Sequence, residues 1–435
     1  MKASYIKKSL LKRVNFMQEH VADFVRNPGK DFTRKRKCPF ESLILLLLTM
    51  ESHSLKRELR RFFPKTGANV MTRSALVQQR AKLNEVAFPF LFYQLNDDLP
   101  FRRLHKGYHL LACDGSDVNI PPLEDDTKTK VPSNTKGVTF QQMHLNAVYD
   151  ILEERYVDIS VQGKAVANER KAFLEFVNRN PLQGKSIYIA DRGYFSLNVL
   201  AHLIESSSSF LLRMNAANIH SSFIKRFKLP DQNEFDIDLD FYVCRSRKKE
   251  HLKNPAKYVY VKNNKEFDFI PKGDRTAIYP ISARLVKLML PTGEAEYLLT
   301  DLPRNKFDIA ELRILYNLRW GIETSFRFLK YNMALSCFHS VRRDFILQEI
   351  YARIILYNLT MQLAHTVTPS CDSRKYTCKV SVSDAVVTCR DFLLYRIKNE
   401  EIEARLLKYL TEIRPGRLFP RKTRSKRFVP LINRV

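Results

Sequence analysis

Two short stretches constrain the fold more than anything else in the chain. Residues 108–113 read YHLLAC and residues 186–190 read SIYIA; each runs straight into an aspartate, Asp114 and Asp191, with a glycine within two positions. Short apolar runs bounded by turn residues read as buried strands. Buried strands of this kind need cover on both faces of their sheet. The surrounding sequence supplies it. Strands are predicted over 142–152 and 154–161, joined as a hairpin at 150–154. An amphipathic helix is predicted over 168–180, a second helix over 196–206 and a strand over 209–214. This order predicts an α/β fold, a mixed sheet flanked by helices.

The flanks differ in character. Residues 1–105 read as helical, with predicted helices over 1–26, around the leucine run 43–48, over 54–63 and over 72–83. Residues 215–303 hold alternating strand-like pieces such as FDIDLDFYVC and KYVYVKN, which reads as a β-rich insertion. Long helices return over 308–331 and 344–367, and the tail from Arg414 carries eight Lys or Arg and no acid. The expected organisation is a helical region over 1–105, an α/β region over 106–214 and 304–370, the insertion over 215–303, and a basic C-terminal region over 371–435.

Charge then narrows the function. Lys and Arg number 73 against 46 Asp and Glu, a formal net charge of +27 over 435 residues. An excess of this size points to a polyanion. With 12 glycines and no GxGxxG or GxxxxGK[ST], a nucleotide-cradling loop is not expected. The longest apolar run is too short to cross a bilayer, and the N-terminus has no signal-peptide pattern. The seven cysteines are scattered, with no CxxC pair, and read as reduced thiols. A cytoplasmic protein bound to nucleic acid is therefore expected, with no membrane partner. Residues 1–100 alone hold 19 Lys or Arg against 9 Asp or Glu. Within them the helix predicted after Thr72 could present Arg73, Ser74, Gln78 and Arg80 to DNA, or be a solvated basic helix.

The chemistry concentrates in YNLRWGIETSFRFLK. Tyr316, Arg319, Glu323 and Lys330 fall near 0°, 300°, 340° and 320° on a wheel of about 100° per residue, one narrow stripe. Leu315, Leu318, Ile322, Phe326 and Leu329 fill the adjoining arc and anchor the helix. A surface ion-pair ladder, Arg319–Glu323–Arg327, would account for the charges. It does not account for Tyr316 and Lys330 lying in line with them. Asp114 and Asp191, each taken alone, also suit a turn. As a pair at the ends of strands in one sheet, joined by Glu323, they make three carboxylates, a donor set for a hard divalent cation.

The spacing Y-x2-R-x3-E-x6-K at Tyr316, Arg319, Glu323 and Lys330 resembles the signature of insertion-sequence-four family transposases. ACDGS and IADRGYF resemble that family's two aspartate motifs, and 131 residues between Asp191 and Glu323 leave room for its β-rich insertion. The resemblance covers nearly the whole chain. It implies a ribonuclease-H-like DDE transposase with Asp114, Asp191 and Glu323 as catalytic, metal-binding carboxylates for Mg²⁺, replaceable by Mn²⁺. It implies Tyr316, Arg319 and Lys330 as ligands of a DNA phosphate. It further implies terminal inverted repeats and target DNA as partners, a homodimer in the DNA complex, and a bacterial, nucleoid-associated setting. Some relatives hold a flipped base with an insertion tryptophan; the one tryptophan here, Trp320, lies in the catalytic helix. A nuclease of similar fold without strand transfer and a non-catalytic DNA-binding regulator are the alternatives.

Overall fold

The structure is a computed structural model that describes residues 2–34, 36–63, 70–123, 126–132, 139–180, 182–215, 223–290, 292–370 and 376–413. The basic tail beginning at Arg414 lies outside the described residues.

The N-terminal region is helical as expected: α1 (Ala3–Glu19), α2 (Phe40–Thr49), α3 (Leu55–Phe62), α4 (Arg73–Arg80) and α5 (Ala87–Asp98). The first helix is shorter than the periodicity predicts and gives way to a 3-10 turn at Val21–Phe24. The leucine run buries on every side, from Leu43 to Leu48. Each such leucine contributes about 2 kcal/mol of transfer free energy.

The sheet begins with β1 (Tyr108–Ile120), β2 (Lys130–Pro132), β3 (Thr139–Asp150) and β4 (Arg155–Gly163). Then come α6 (Glu169–Arg179), β5 (Lys185–Ala190), α7 (Leu197–Glu205) and β6 (Ser209–Arg213). Local chemistry sets the helix starts: Asn168 accepts from Lys171 N and Ser196 accepts from Val199 N, both N-cap bonds. β3 pairs antiparallel with β1, whereas β5 pairs parallel with β1 and β6 parallel with β5. This is a ribonuclease-H-like arrangement.

The insertion holds β7 (Phe235–Cys244), the short α8 (Lys249–Lys253), β8 (Tyr258–Tyr260), β9 (Ile278–Met289) and β10 (Ala295–Thr300). It continues the central sheet, because β10 pairs antiparallel with β6. The result is one ten-stranded sheet in the order β2-β3-β1-β5-β6-β10-β9-β7-β8, with β4 on β3. After it come α9 (Ile309–Leu318), α10 (Trp320–Tyr331), α11 (Arg343–Ala364), β11 (Cys378–Val380), α12 (Val382–Leu393), α13 (Asn399–Lys408) and β12 (Leu410–Glu412).

Alternation along β1 divides the core. Leu110 and Ala112 face the helices of the N-terminal region and α10–α11, while Leu111 and Cys113 face α6 and α7. Three expectations need correction. The strand expected to leave the sheet at Asp114-Gly115 runs on to Ile120, because β3 keeps pairing with it as far as Ile120↔Gln141. The helix expected over 308–331 is interrupted at Arg319, where Arg319 N donates to Tyr316 O and Ile322 N to Arg319 O, a tighter i→i−3 pattern. Among the described residues five cysteines are free thiols, as expected, but Cys378 is disulfide-bonded.

Candidate active site

Backbone register brings the two aspartates together. Cys113 of β1 and Ala190 of β5 are partners in the parallel ladder, so Asp114 and Asp191 are the next residues on strands about 4.8 Å apart. β5 stops at Ala190. Asp114 therefore keeps β3 on one side, opposite Ala147, and loses its parallel neighbour on the other. Each aspartate also accepts from the N–H that follows it: Gly115 N at 2.9 Å and Arg192 N at 2.7 Å.

Arg319, at the junction of α9 and α10, ties the helix to the sheet. Its Nη2 donates to Glu323 Oε1 at 3.1 Å, one helical turn on, and its Nη1 lies 3.9 Å from Asp114 Oδ2. The guanidinium is only 4% exposed. Burial acts to lower its pKa and is outweighed by Tyr316, Asp114, Glu323 and Asp191, so the group is held above the usual value. Tyr316 OH donates to Asp191 Oδ1 at 3.4 Å, and Arg213 Nη1 lies 3.6 Å from the same oxygen. Asp114 is pushed up to about 6, first by burial; the Gly115 N–H and Arg319 oppose this, while Glu323 and Glu169 add to it. Lys330 is lowered by burial against the pull of Asp117 and Asp114.

The stripe predicted from the helical wheel thus turns inward onto the carboxylates. Leu315, Ile322, Phe326 and Leu329 bury beside it, whereas Leu318 is 39% exposed, because the break at Arg319 shifts the helical phase. Of the alternative ion-pair ladder only the Arg319–Glu323 rung forms; Arg327 points to solvent.

Hard oxygens are the right donors for Mg²⁺ or Mn²⁺. In the described residues, however, no three His, Cys, Asp or Glu side chains stand close enough to hold an ion as arranged. Asp114 and Glu323 share the Arg319 guanidinium, and Asp191 is held by Tyr316 and Arg213. The donor chemistry fits a divalent cation, and the positive charge now among the carboxylates is the protein's own.

Arg213 escaped the sequence reading. Its signal was available: it ends β6, the next parallel strand, and strand C-termini in such sheets are where sites form. The opposite face of β1 carries a second polar group. Asp117 and His144 are cross-strand partners with Oδ1 and Nδ1 2.5 Å apart, and His144 Nε2 lies 3.3 Å from Glu169 Oε1. Lys164 Nζ joins Asp117 at 2.9 Å. Asp117 is therefore an ion-paired strand residue.

The proposed DNA-reading helix is α4, with Thr72 as its N-cap. Arg73, Ser74 and Gln78 are exposed. Arg80 is not: it is 1% exposed, donates from Nη1 to Glu349 Oε1 at 3.0 Å and from Nη2 to Phe345 O at 2.9 Å, and cannot read DNA. The reason is helical phase, since Leu76, one turn earlier, also lies on the core face.

A model of the transposase DDE domain matches residues 105–359, more than half of the chain. The chain belongs to the transposase DDE-domain family. Catalysis of polynucleotidyl transfer is the activity this family carries. Among solved structures, the piggyBac transposase synaptic complex with hairpin DNA matches with 12% identity and a TM-score of 0.47, over 94% of this chain and 84% of that one. A comparison with curated protein sequences finds no match. No described helix of this DDE-domain protein is long and apolar enough to cross a membrane.

Proposed function

We propose that the protein is a cut-and-paste transposase of the insertion-sequence-four kind, with Tyr316, Arg319, Glu323 and Lys330 as its Y-R-E-K set. Its substrates are the terminal inverted repeats of its own element and a target duplex, and it works on them as a homodimer. The supporting observation is the Arg319 guanidinium, which lies 3.1 Å from Glu323 and 3.9 Å from Asp114 beside the strand end that carries Asp191.

Asp114, Asp191 and Glu323 would hold divalent metal, and a pair of such ions would supply charge stabilisation to the attacking and leaving oxygens of an in-line displacement. Arg319 presents a planar fork of donors that suits a phosphate as well as a carboxylate. Tyr316, which reaches Asp191, and Lys330, which feels Asp117 and Asp114, would bind DNA phosphate alongside it. Asp114 lies in β1 and Asp191 directly follows the end of β5, so the Cys113–Ala190 pairing holds their backbones side by side. Residues 106–214 and 304–370 supply this chemistry. Residues 1–105 supply end recognition, with Arg73, Ser74 and Gln78 of α4 as its candidate contacts, residues 215–303 form the insertion, and residues 371–435 add positive charge.

The test is cleavage and joining with a duplex carrying the element's terminal repeat. With Mg²⁺ or Mn²⁺ the unmodified protein nicks the duplex at the element's 3′ end and joins a pre-cut 3′-OH end to plasmid. Cleavage without joining would instead identify a nuclease, and binding without cleavage a regulator. Glu323→Gln abolishes cleavage and leaves end binding intact; persisting cleavage removes Glu323 from the site.

A further inference from the structure

The register of the sheet separates two ends of the insertion. Asp236 of β7 pairs with Val286 of β9, Val286 with Leu298 of β10, and Leu298 with Arg213 at the end of β6. The start of β7 therefore lies level with the catalytic row. Tyr242 and Cys244, farther along β7, point away from that row. Tyr242 is six residues beyond Asp236, roughly 20 Å along the strand, and four strand spacings add roughly 20 Å across the sheet from β5.

Charge is handled differently at these two ends. Near the catalytic row the cations are neutralised: Arg304 Nε lies 3.0 Å from Asp236 and Arg304 Nη2 lies 3.0 Å from Asp238, and Arg284 also pairs with Asp236. At the far end, residues 245–265 hold eight Lys or Arg and a single acid, Glu250. Arg247, Lys248, Lys249, Lys253, Lys257 and Lys262 are all exposed. Among the described residues none of these six forms an ion pair with a carboxylate.

This far end is also built to hold its shape. Arg245 is 4% exposed and donates to four carbonyls, those of Ile270, Lys262, Lys265 and Phe267, at 3.1, 2.9, 3.3 and 3.2 Å. It closes the turn that carries Lys262, and with no carboxylate partner among the described residues its charge adds to the surface potential. His251 stacks on Tyr258 at 4.1 Å and 11°, and Tyr258 stacks on Tyr242 at 5.8 Å and 26°, which fixes α8 against the edge strand β8. A charge run that was merely solvated would not need a buried arginine clamp and a ring column beneath it.

We propose that the far end of the insertion is a second, sequence-independent contact surface for the phosphate backbone of duplex DNA, separate from the catalytic end. It rests on the reading that the chain acts on DNA. The combined separation is about 28 Å, roughly eight base pairs of duplex at 3.4 Å each, so these lysines meet DNA well away from the scissile phosphate or meet another duplex. Lysines that meet phosphates as point charges give affinity without sequence preference.

The experiment measures binding of the full chain to a duplex of arbitrary sequence by fluorescence anisotropy, across roughly 50 to 200 mM salt. The unmodified chain is compared with a Lys248→Gln/Lys249→Gln/Lys253→Gln variant. A control, Lys171→Gln/Lys185→Gln/Lys306→Gln, removes the same charge from exposed sites outside the insertion and outside residues 1–105 and 371–435. Loss of three phosphate contacts lowers the slope of log affinity against log salt by about 2 to 3. That fall is expected for the insertion variant, and a clearly smaller one for the control. An unchanged slope in the insertion variant, or an equal fall in both, overturns the proposal. If the unmodified chain itself fails to bind DNA, the functional reading fails instead.

Discussion

Cys113 and Ala190 face each other across a parallel ladder, and the residue after each is an aspartate. Backbone hydrogen bonding thus fixes the distance between two candidate metal ligands that are far apart in sequence. Asp114→Asn or Asp191→Asn keeps the size and shape of the side chain and removes its charge. Each substitution should reduce metal-dependent cleavage by at least about a hundredfold, the scale of losing one electrostatic contact to a developing charge. Circular dichroism and end binding should stay as in the unmodified protein. Chelation should reproduce the loss, and added Mn²⁺ should reverse it.

Arg80 and Arg73 share one helix and should behave oppositely. Arg80→Ala leaves Glu349 buried without its guanidinium and should cost about 3 to 5 kcal/mol of stability in a denaturant titration. Arg73→Ala removes an exposed side chain and should move stability by less than about 0.5 kcal/mol. Arg73→Ala should nevertheless weaken binding to the terminal repeat. If Arg80→Ala proves neutral for stability, the buried pair does not form in solution.

Gly115 is a glycine for reasons of space. A Cβ there would lie 2.6 Å from His144 Nε2 and 2.8 Å from Cε1. The ring cannot swing away cheaply, because Asp117 and Glu169 hold its two nitrogens. Gly115→Ala should destabilise by about 1 to 3 kcal/mol, the range for overpacking. In a double-mutant cycle with His144→Ala, a large share of that cost should vanish. Purely additive effects would show that the two residues do not meet.

His144 also sets a pH dependence. Burial opposes its protonation, but the carboxylates of Asp117 and Glu169 outweigh both burial and nearby Lys164, and hold the pKa up to about 9. Asn146 Oδ1, 3.2 Å from Nε2, is the remaining polar neighbour. The folded pKa lies above the unfolded value of about 6.5, so the native state binds the extra proton. This stabilisation is complete below about pH 6.5 and is lost as pH rises through about 9. Urea titrations across that window should show stability falling in the unmodified protein and a flatter profile in His144→Gln.

Much of the fold was legible because its signals are local. Asn168, Ser196 and Thr72 cap helices within three residues of themselves, and the apolar runs before Asp114 and Asp191 are strands by their own composition. The candidate site was legible in outline for the same reason, since the Tyr316–Lys330 spacing is a helical period. Its finer arrangement was not. The break at Arg319 exposes Leu318 against the simple wheel, and Arg213 enters only because β6 lies beside β5.

By itself, then, the sequence determined the helical and strand segments, the positive charge and the residues available for chemistry, because each depends on neighbours a few positions away. Only the tertiary structure decided that β1 runs past Asp114, that the insertion extends the central sheet, that Arg80 is a core residue, and that Arg319 is the cation shared by Asp114 and Glu323. Those outcomes depend on which faces meet across long separations in the chain, where pairing and burial of whole elements outweigh the preferences of single residues.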